Sequence, residues 1–320
     1  MVSLIKSHDH GTILAIGDGA NDVKMITKAD VGVGVMGAEG SHAARASDYS
    51  IMQFSHLKKL LLVHGRESYR KNSLVVCYNF YKNALFVVPQ FWMGTLNFFT
   101  GQTLYDRWIY QLFTPIFTCL PIIWYGIYDI EMEPNELIAK PMYYVQGMIS
   151  KLFHFKRFWK WMVCGIIDAL FVFLIAFFSL SSSNNGQSLD MWGIGTMAYS
   201  SVVIIANLKL IIYTNTHSII STLIFFISIL SYFIVVFIMS FFPVFYNYDN
   251  FYEIILDKLY YFSSLLVISL CALVDIAVSK CLLYYGIVEN PIHCSPESSM
   301  NQFDVESIEE DVALLVDNEK

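Results

Sequence analysis

The chain has few charged side chains for its length. Only 15% of its 320 residues are Asp, Glu, Lys or Arg, whereas 56% are hydrophobic and 16% are aromatic. A soluble domain of this size needs a more polar surface, so the composition excludes an ordinary soluble protein. The chain instead contains long apolar runs, which are typical of an integral membrane protein.

Other absences narrow the class further. The six cysteines show no paired spacing, and five of them fall in or beside apolar segments, so we predict neither a disulfide framework nor a zinc site. The segment MVSLIKSHDHG lacks the apolar core and cleavage site of a signal peptide, which predicts that the chain starts in the cytosol. The one basic and aromatic stretch, FKRFWKW, lies beside a long apolar run and suits contact with anionic lipid or simple anchoring, so nucleic acid is not an expected partner.

The apolar middle of the chain is flanked by two charged ends. Residues 1–72 hold nine of the twenty Lys and Arg, and residues 286–320 hold nine acidic side chains and one Lys. A helix needs about 20 apolar residues to cross a hydrocarbon core of about 30 Å. Six stretches are long enough, and they lie near 74–99, 108–128, 159–181, 193–213, 217–242 and 259–285.

The basic residues predict the orientation of these spans. The loop between the second and third spans carries Lys140, Lys151, Lys156, Arg157 and Lys160. The positive-inside rule therefore places this loop in the cytosol, together with both ends of the chain.

The front of the chain has the pattern of a small α/β unit. TILAI is typical of a short buried strand, ANDVKMITKA of a helix and DVGVGV of a second strand, and EGSHAARAS predicts a short helix. A charged amphipathic segment then runs without a proline into the first apolar stretch. We therefore predict an α/β fragment at 1–54, a stalk helix at 55–73, a six-span domain at 74–285 and an acidic tail at 286–320.

The motif GDGAND predicts a metal and phosphate site directly after the first strand. Gly17 and Gly19 permit a sharp turn, and the carboxylates of Asp18 and Asp22 are the hard oxygen ligands that suit Mg²⁺. Asn21 can donate its amide N–H to a phosphoryl oxygen. An Asp- and Gly-rich surface turn without any ligand is the alternative interpretation.

A stripe of polar residues runs along the first apolar stretch. Asn79, Lys82, Asn83, Gln90 and Asn97 fall on one side of a helix. A lysine near mid-membrane costs about 2.5 to 3.5 kcal/mol on insertion scales, so Lys82 is expected to face protein or water rather than lipid. It is either part of a transport route or a structural lysine that binds neighbouring helices.

The second apolar stretch is expected to be a broken helix. Pro115 and Pro121 each remove a backbone donor, and Gln111, Thr114 and Thr118 share one face.

Later spans carry isolated polar residues. Asp168 and Asp275 are interpreted either as relays or ion ligands, or as hydrogen-bonded groups buried between helices or near an interface. Asn207 and Lys209 are interpreted as a polar pair near the end of a span.

Four segments in this order resemble the type IV P-type ATPases, the eukaryotic phospholipid flippases: ILAIGDGANDVKMI, VGVGVMGAEGSHAARASDYSI, LLLVHGRESYRKN and FYKN. The resemblance covers residues 1 to about 285, and GAEG favours the flippase branch over the cation pumps. It implies that the α/β fragment is part of a haloacid-dehalogenase-like phosphorylation domain, joined by a helical stalk to a bundle of six transmembrane helices.

The same resemblance implies roles for particular residues. Asp18 and Asp22 would hold Mg²⁺, Asn21 and Asp22 would contact ATP or its phosphate, and the Lys82 and Asn83 pair would lie on the lipid pathway. Asn79, on the polar stripe, and Thr114, on the polar face of the second stretch, are further candidates for that pathway from their helical positions. The family tends to have Asn where Thr114 stands and Pro where Ile122 stands, so the head-group preference is not carried over.

The resemblance also implies an activity and a partner. The family moves phospholipid from the exoplasmic to the cytosolic leaflet of a eukaryotic plasma membrane or endomembrane, driven by ATP, with a two-span glycosylated β-subunit. The family's Asp-Lys-Thr-Gly-Thr and Asp-Gly-Glu-Thr motifs, nucleotide-binding domain and first four spans are absent from this sequence. We therefore expect a C-terminal portion of a longer pump, which is catalytically incomplete by itself.

Two alternatives stay open at this point. One is a non-catalytic membrane fragment that binds or regulates a partner pump. The other is a part of a cation-transporting ATPase, which is disfavoured because Asp106 is the only carboxylate between Tyr78 and Pro121.

Overall fold

The computed structural model describes residues 2–8, 11–37, 41–148, 150, 152–180, 191–243, 245 and 258–284. The predicted acidic tail and residues 38–40 of the GAEG motif lie outside these ranges. By its internal contacts the chain divides into two compact units, residues 1–68 with 132–145, and residues 69–131 with 146–320.

The elements of the described residues are three strands and thirteen α-helices. The strands are β1 (Leu14–Gly17), β2 (Val31–Val35) and β3 (Tyr49–Ile51). The helices are α1 (Val2–His8), α2 (Val23–Lys28), α3 (His42–Ala46), α4 (His56–Lys59), α5 (Arg66–Leu96), α6 (Arg107–Leu112), α7 (Cys119–Tyr128), α8 (Pro134–Ala139), α9 (Val145–Met148), α10 (Phe155–Leu180), α11 (Met191–Tyr213), α12 (Ile219–Met239) and α13 (Lys258–Tyr284). Two π-helical segments, Leu60–Gly65 and Phe113–Phe117, precede α5 and α7.

The first unit is built on a small parallel sheet with strand order β1-β2-β3. Leu14 pairs with Val31, and Val33 pairs with Tyr49. The predicted βαβ unit is confirmed, with α2 as the crossover helix. Strand β3 has only three residues, which is too short for an alternating pattern to show in the sequence.

Close packing in this sheet depends on its glycines and its loop aspartates. A Cβ at Gly34 would lie 2.6 Å from the Cα of Ala44, so only glycine lets α3 pack this closely on β2. The Asp48 carboxylate accepts the Gly32 N–H at 2.8 Å. Asp30 accepts from the Lys6 ammonium at 2.7 Å, and this hydrogen bond lowers the pKa of the Asp30 carboxyl.

The second unit is helical and carries the membrane segments. Five stretches of the described chain are long and apolar enough to cross a membrane: Arg107–Tyr128, Phe155–Ser179, Met191–Tyr213, Ile219–Met239 and Lys258–Val278. The chain is therefore a multi-pass membrane protein. The first predicted span, 74–99, lies largely on the 31-residue helix α5, which is not among these five segments and carries the polar stripe.

Helix α11 is the most enclosed of the five segments, since 78% of its most apolar 18-residue stretch is buried. Tyr78 of α5 donates its hydroxyl to the Ala206 carbonyl at 3.0 Å, and Tyr199 donates to the Ile109 carbonyl at 2.7 Å. Interhelical bonds of this kind satisfy polar groups where no water is available. Helix α11 thus connects α5 and the broken second segment within the bundle.

An ion pair closes one end of the second unit. Arg70 donates to Asp129 Oδ2 at 2.8 Å, and the side chain of Asp129 has no exposed surface. The other oxygen, Oδ1, accepts the backbone N–H groups of Asn215 and Thr216 at 2.8 and 2.9 Å. One carboxylate therefore joins the beginning of α5, the end of α7 and the loop between α11 and α12.

Candidate functional site

The GDGAND loop begins where β1 ends. The Asp22 Oδ2 atom accepts the backbone N–H groups of Asp18 and Gly19 at 3.3 and 3.4 Å. A Cβ at Gly17 would overlap the Asp22 Cβ and lie 2.7 Å from its Cγ, so the Asp22 side chain folds back against the glycine. Asp22 thus stabilises the turn, while the Asp18 and Asn21 side chains are exposed.

The turn after β2 approaches the same place. A Cβ at Gly37 would lie 3.6 Å from the Asp18 Cβ. Both turns follow the carboxyl ends of parallel strands, which is where open α/β sheets bind their ligands. The predicted site residues Gly17, Asp18, Gly19, Asn21 and Asp22 are therefore together at the edge expected of a phosphate site.

The donor set of this loop fits Mg²⁺ that is shared with a phosphate group. Mg²⁺ is commonly bound by one or two carboxylates, with substrate phosphates and waters completing the octahedron. Asp18 and Asp22 supply such a pair. No group of three or more His, Cys, Asp or Glu residues able to hold a metal occurs in the part of the chain that the structure describes, so the loop is not a self-contained metal cage.

The predicted membrane lysine lies inside the second unit. Lys82 is 2% exposed, and its ammonium donates to the Thr118 hydroxyl at 3.1 Å. Thr118 is fully buried, and its own hydroxyl lies 3.2 Å from the Phe113 carbonyl and 3.4 Å from that of Thr114. The expectation that Lys82 faces protein rather than lipid is confirmed.

Thr118 is the break in the second segment. Its backbone has φ −134° and ψ −8°, between the π-helical turn and α7, so the predicted broken helix is confirmed. Pro121 has no N–H to donate to the Phe117 carbonyl four residues earlier. That carbonyl instead accepts from Asn207 Nδ2 at 3.2 Å and from Ser228 Oγ at 2.5 Å.

The remaining predicted pathway residues differ in their surroundings. Asn79 is half-buried, whereas Asn83, Gln111 and Thr114 are exposed on this chain. Gln90 has a structural role, because it accepts the Leu104 N–H at 2.6 Å and donates to the Gln102 carbonyl at 3.2 Å. The structure thus joins Lys82 to Thr118, a contact that sequence spacing does not reveal.

The later carboxylates form a separate polar cluster. Asp168 is fully buried and accepts the Tyr81 hydroxyl at 2.7 Å. Asp275 forms an ion pair with Lys209, whose ammonium also lies 4.7 Å from the centre of the Tyr81 ring. Asp168 therefore corresponds to the buried, hydrogen-bonded alternative. Lys209 and Asn207 do not act as a pair, because each binds a different element.

Comparison with known proteins gives consistent matches. The family described as phospholipid-translocating P-type ATPase C-terminal matches residues 44–285. Phospholipid-transporting ATPase C887.12 of Schizosaccharomyces pombe is 42% identical over 206 residues, which are 63% of this chain and 16% of that protein. The human probable phospholipid-transporting ATPase IM is 37% identical over 242 residues, which are 75% of this chain and 20% of that protein.

A yeast relative gives the same result. Phospholipid-transporting ATPase DRS2 of Saccharomyces cerevisiae is 37% identical over 219 residues, which are 67% of this chain and 16% of that protein. The chain thus spans between 16% and 20% of the length of these three relatives.

Proposed function

The chain belongs to the phospholipid-translocating P-type ATPase C-terminal family, and from that premise we propose that it is the carboxy-terminal part of an ATP-driven phospholipid flippase. The observation that carries this proposal is the buried Lys82 ammonium beside the helix break at Thr118. A buried cation in a membrane segment needs an anionic or strongly polar counterpart, and the phosphate of a lipid head group supplies one.

Lys82 is suited to this task by its hydrogen-bonding capacity. An ammonium has three N–H donors. Thr118 takes one of them at 3.1 Å and fixes the position of the nitrogen. Attraction between the ammonium and a phosphate is strong here because the effective dielectric constant is low. Asn79, Asn83 and Thr114 would line the same route and bind the rest of the head group.

The GDGAND loop would serve the ATP-dependent step. Asp18 and Asp22 would hold Mg²⁺, whose charge neutralises a transferring phosphoryl group. Asp22 also fixes the turn by accepting the Asp18 and Gly19 N–H groups, and the glycines would let a phosphate approach its backbone. Asn21 is exposed and would donate its amide to the nucleotide or the phosphoryl group.

The domain assignments follow from the same proposal. Residues 1–54 would be the C-terminal part of a haloacid-dehalogenase-like phosphorylation domain, and residues 55–73 the stalk that couples it to transport. Helix α5 would be a sixth span, tolerated in the membrane because its polar residues face protein or the lipid route. The residues at 286–320 would be a cytosolic tail.

Orientation, direction and partner are part of the proposal as well. The basic loop residues favour a cytosolic head and tail in a eukaryotic plasma membrane or endomembrane. Lipid would move from the exoplasmic to the cytosolic leaflet, and a two-span glycosylated β-subunit would accompany the pump, as the family resemblance implies.

A reconstituted transport assay tests the function. The full-length protein that carries this chain is placed in vesicles with fluorescent phospholipid, Mg²⁺ and ATP. We expect ATP-dependent lipid movement that is lost in Asp18→Asn and kept in Glu133→Gln, which changes an exposed carboxylate outside the loop. Transport that survives Asp18→Asn would contradict the assignment of the loop. Binding to a partner pump without any transport would favour the regulatory fragment instead.

A further inference from the structure

We propose that Asn207 and Ser228 are positioning residues for phospholipid transport. They would act through the Phe117 carbonyl, which they hold so that the second segment stays broken at Thr118. The inference rests on the proposed function, since it concerns how Lys82 is kept in place for a lipid head group.

The two donors come from different helices and meet at one acceptor. Asn207 on α11 and Ser228 on α12 both donate to the Phe117 carbonyl, at 3.2 and 2.5 Å. Asn207 and Phe117 have no exposed surface, and Ser228 is 1% exposed. All three groups are buried, and these side chains supply the hydrogen bonds that Pro121 cannot.

The geometry of Asn207 indicates that its donor group is what matters. Its Nδ2 also donates to the Val203 carbonyl at 2.9 Å, one turn earlier on α11. Its Oδ1 is buried and has no hydrogen-bond partner in the part of the chain that the structure describes. An unsatisfied buried acceptor is unfavourable, so the favourable contribution of this side chain comes from the two hydrogen bonds that its Nδ2 group donates.

The clamp formed by Asn207 and Ser228 connects to Lys82 in two further steps. Phe117 immediately precedes Thr118, whose non-helical backbone places its hydroxyl between the Phe113 carbonyl and the Lys82 ammonium. If both clamp donors are removed, the Phe117 carbonyl is left without a donor. Because an unsatisfied buried carbonyl is unfavourable, the turn is expected to rearrange. Lys82 then loses its fixed partner, although Lys82 itself is unchanged.

The experiment compares Asn207→Leu, Ser228→Ala and the double variant in the full-length protein. Each single variant leaves one donor on the Phe117 carbonyl, so we expect a modest effect, on the order of threefold in lipid-stimulated kcat/KM. The double variant is expected to lose more than the product of the singles, about 30-fold or more, because the two residues share one acceptor. Ser231→Ala is the matched control, since its hydroxyl bonds within α12 to the Ser228 carbonyl.

Two readouts separate positioning from a merely structural role. Phosphorylation of the protein by ATP in the absence of lipid should stay at the wild-type level, whereas the KM for lipid should rise. In a Pro121→Ala background the Phe117 carbonyl regains an internal donor, so the loss in Tm caused by the double variant should shrink. Lipid transport should not recover there, because the break itself is removed.

Different failures identify different errors. A double variant with the wild-type KM and kcat for lipid would overturn the positioning role, and so would an equal loss in Tm in the wild-type and Pro121→Ala backgrounds. If the wild-type protein moves no lipid, the proposed function fails first. The Tm comparison would then still decide whether the clamp exists.

Discussion

Replacing Lys82 by Met separates the function of the ammonium from its contribution to folding. Lys82 is 2% exposed and has one hydrogen bond, to Thr118, among the described residues. Removing the charge from a membrane segment relieves about 2.5 to 3.5 kcal/mol on insertion scales. Losing a hydrogen bond from a charged donor costs about 1.5 to 3 kcal/mol. The two effects partly cancel, so Lys82→Met should change the stability by no more than about 2 kcal/mol.

The activity should respond very differently. If the ammonium binds a lipid phosphate during transport, its loss removes about 1.5 to 3 kcal/mol of interaction, which corresponds to roughly a 10- to 150-fold lower rate. The assay is lipid-stimulated ATP hydrolysis by the full-length protein, normalised to the amount of folded protein. The Tm of each variant is measured in parallel. Lys280→Met, at an exposed lysine of α13, is the control. Unchanged hydrolysis in Lys82→Met would refute the reasoning, as would a loss explained entirely by unfolding.

Two further predictions concern stability. Gly17→Ala places a Cβ against the Asp22 Cβ and 2.7 Å from its Cγ and should lower stability by about 1 to 3 kcal/mol, whereas Gly37→Ala, with its nearest atom at 3.6 Å, should be nearly neutral in the same thermal unfolding measurement. Arg70→Ala removes the ion-pair partner of the buried Asp129 carboxylate and should cost about 3 to 5 kcal/mol, whereas Asp129→Ala should cost less, because Arg70 keeps Glu131 at 3.7 Å. The double variant should cost clearly less than the sum of the two. Strictly additive losses would contradict the buried pair.

The sequence predicts those parts of the structure that depend on local pattern. The βαβ unit follows from apolar runs and glycine turns. The broken second segment follows from Pro115 and Pro121, because each proline removes a hydrogen-bond donor from the helix in which it lies. The burial of Lys82 follows from the cost of exposing a charge to lipid. Each of these inferences needs only neighbouring residues or a single physical penalty.

The unpredicted contacts depend on which helix faces meet. Asn207 binds a carbonyl 90 residues earlier, and Ser228 binds the same carbonyl 111 residues earlier. Nothing in their local sequence indicates that partner. The one available signal is Pro121, which leaves the Phe117 carbonyl without its usual donor and so predicts that some side chain must replace it. Which side chain does so is decided by packing.

The polar stripe of α5 shows the same limit. Spacing places Lys82, Asn83 and Gln90 on one side of a helix, yet they have different environments: Lys82 is buried, Asn83 is exposed and Gln90 holds the backbone of the following loop. Helical periodicity identifies which residues share a face. The environment of each residue depends on the helices and loops that pack against that face.

The central claim is that a phospholipid head group passes the polar site beside the helix break, and photocrosslinking during turnover tests it most directly. The full-length protein is irradiated with ATP and a phospholipid that carries the photoreactive group on its head, and the adducts are mapped by mass spectrometry. We expect adducts on peptides that contain Lys82, Asn83 and Thr114, and we expect them to be lost when ATP is omitted. Head-group adducts confined to exposed apolar residues such as Leu223 and Phe226 of α12 would contradict the claim.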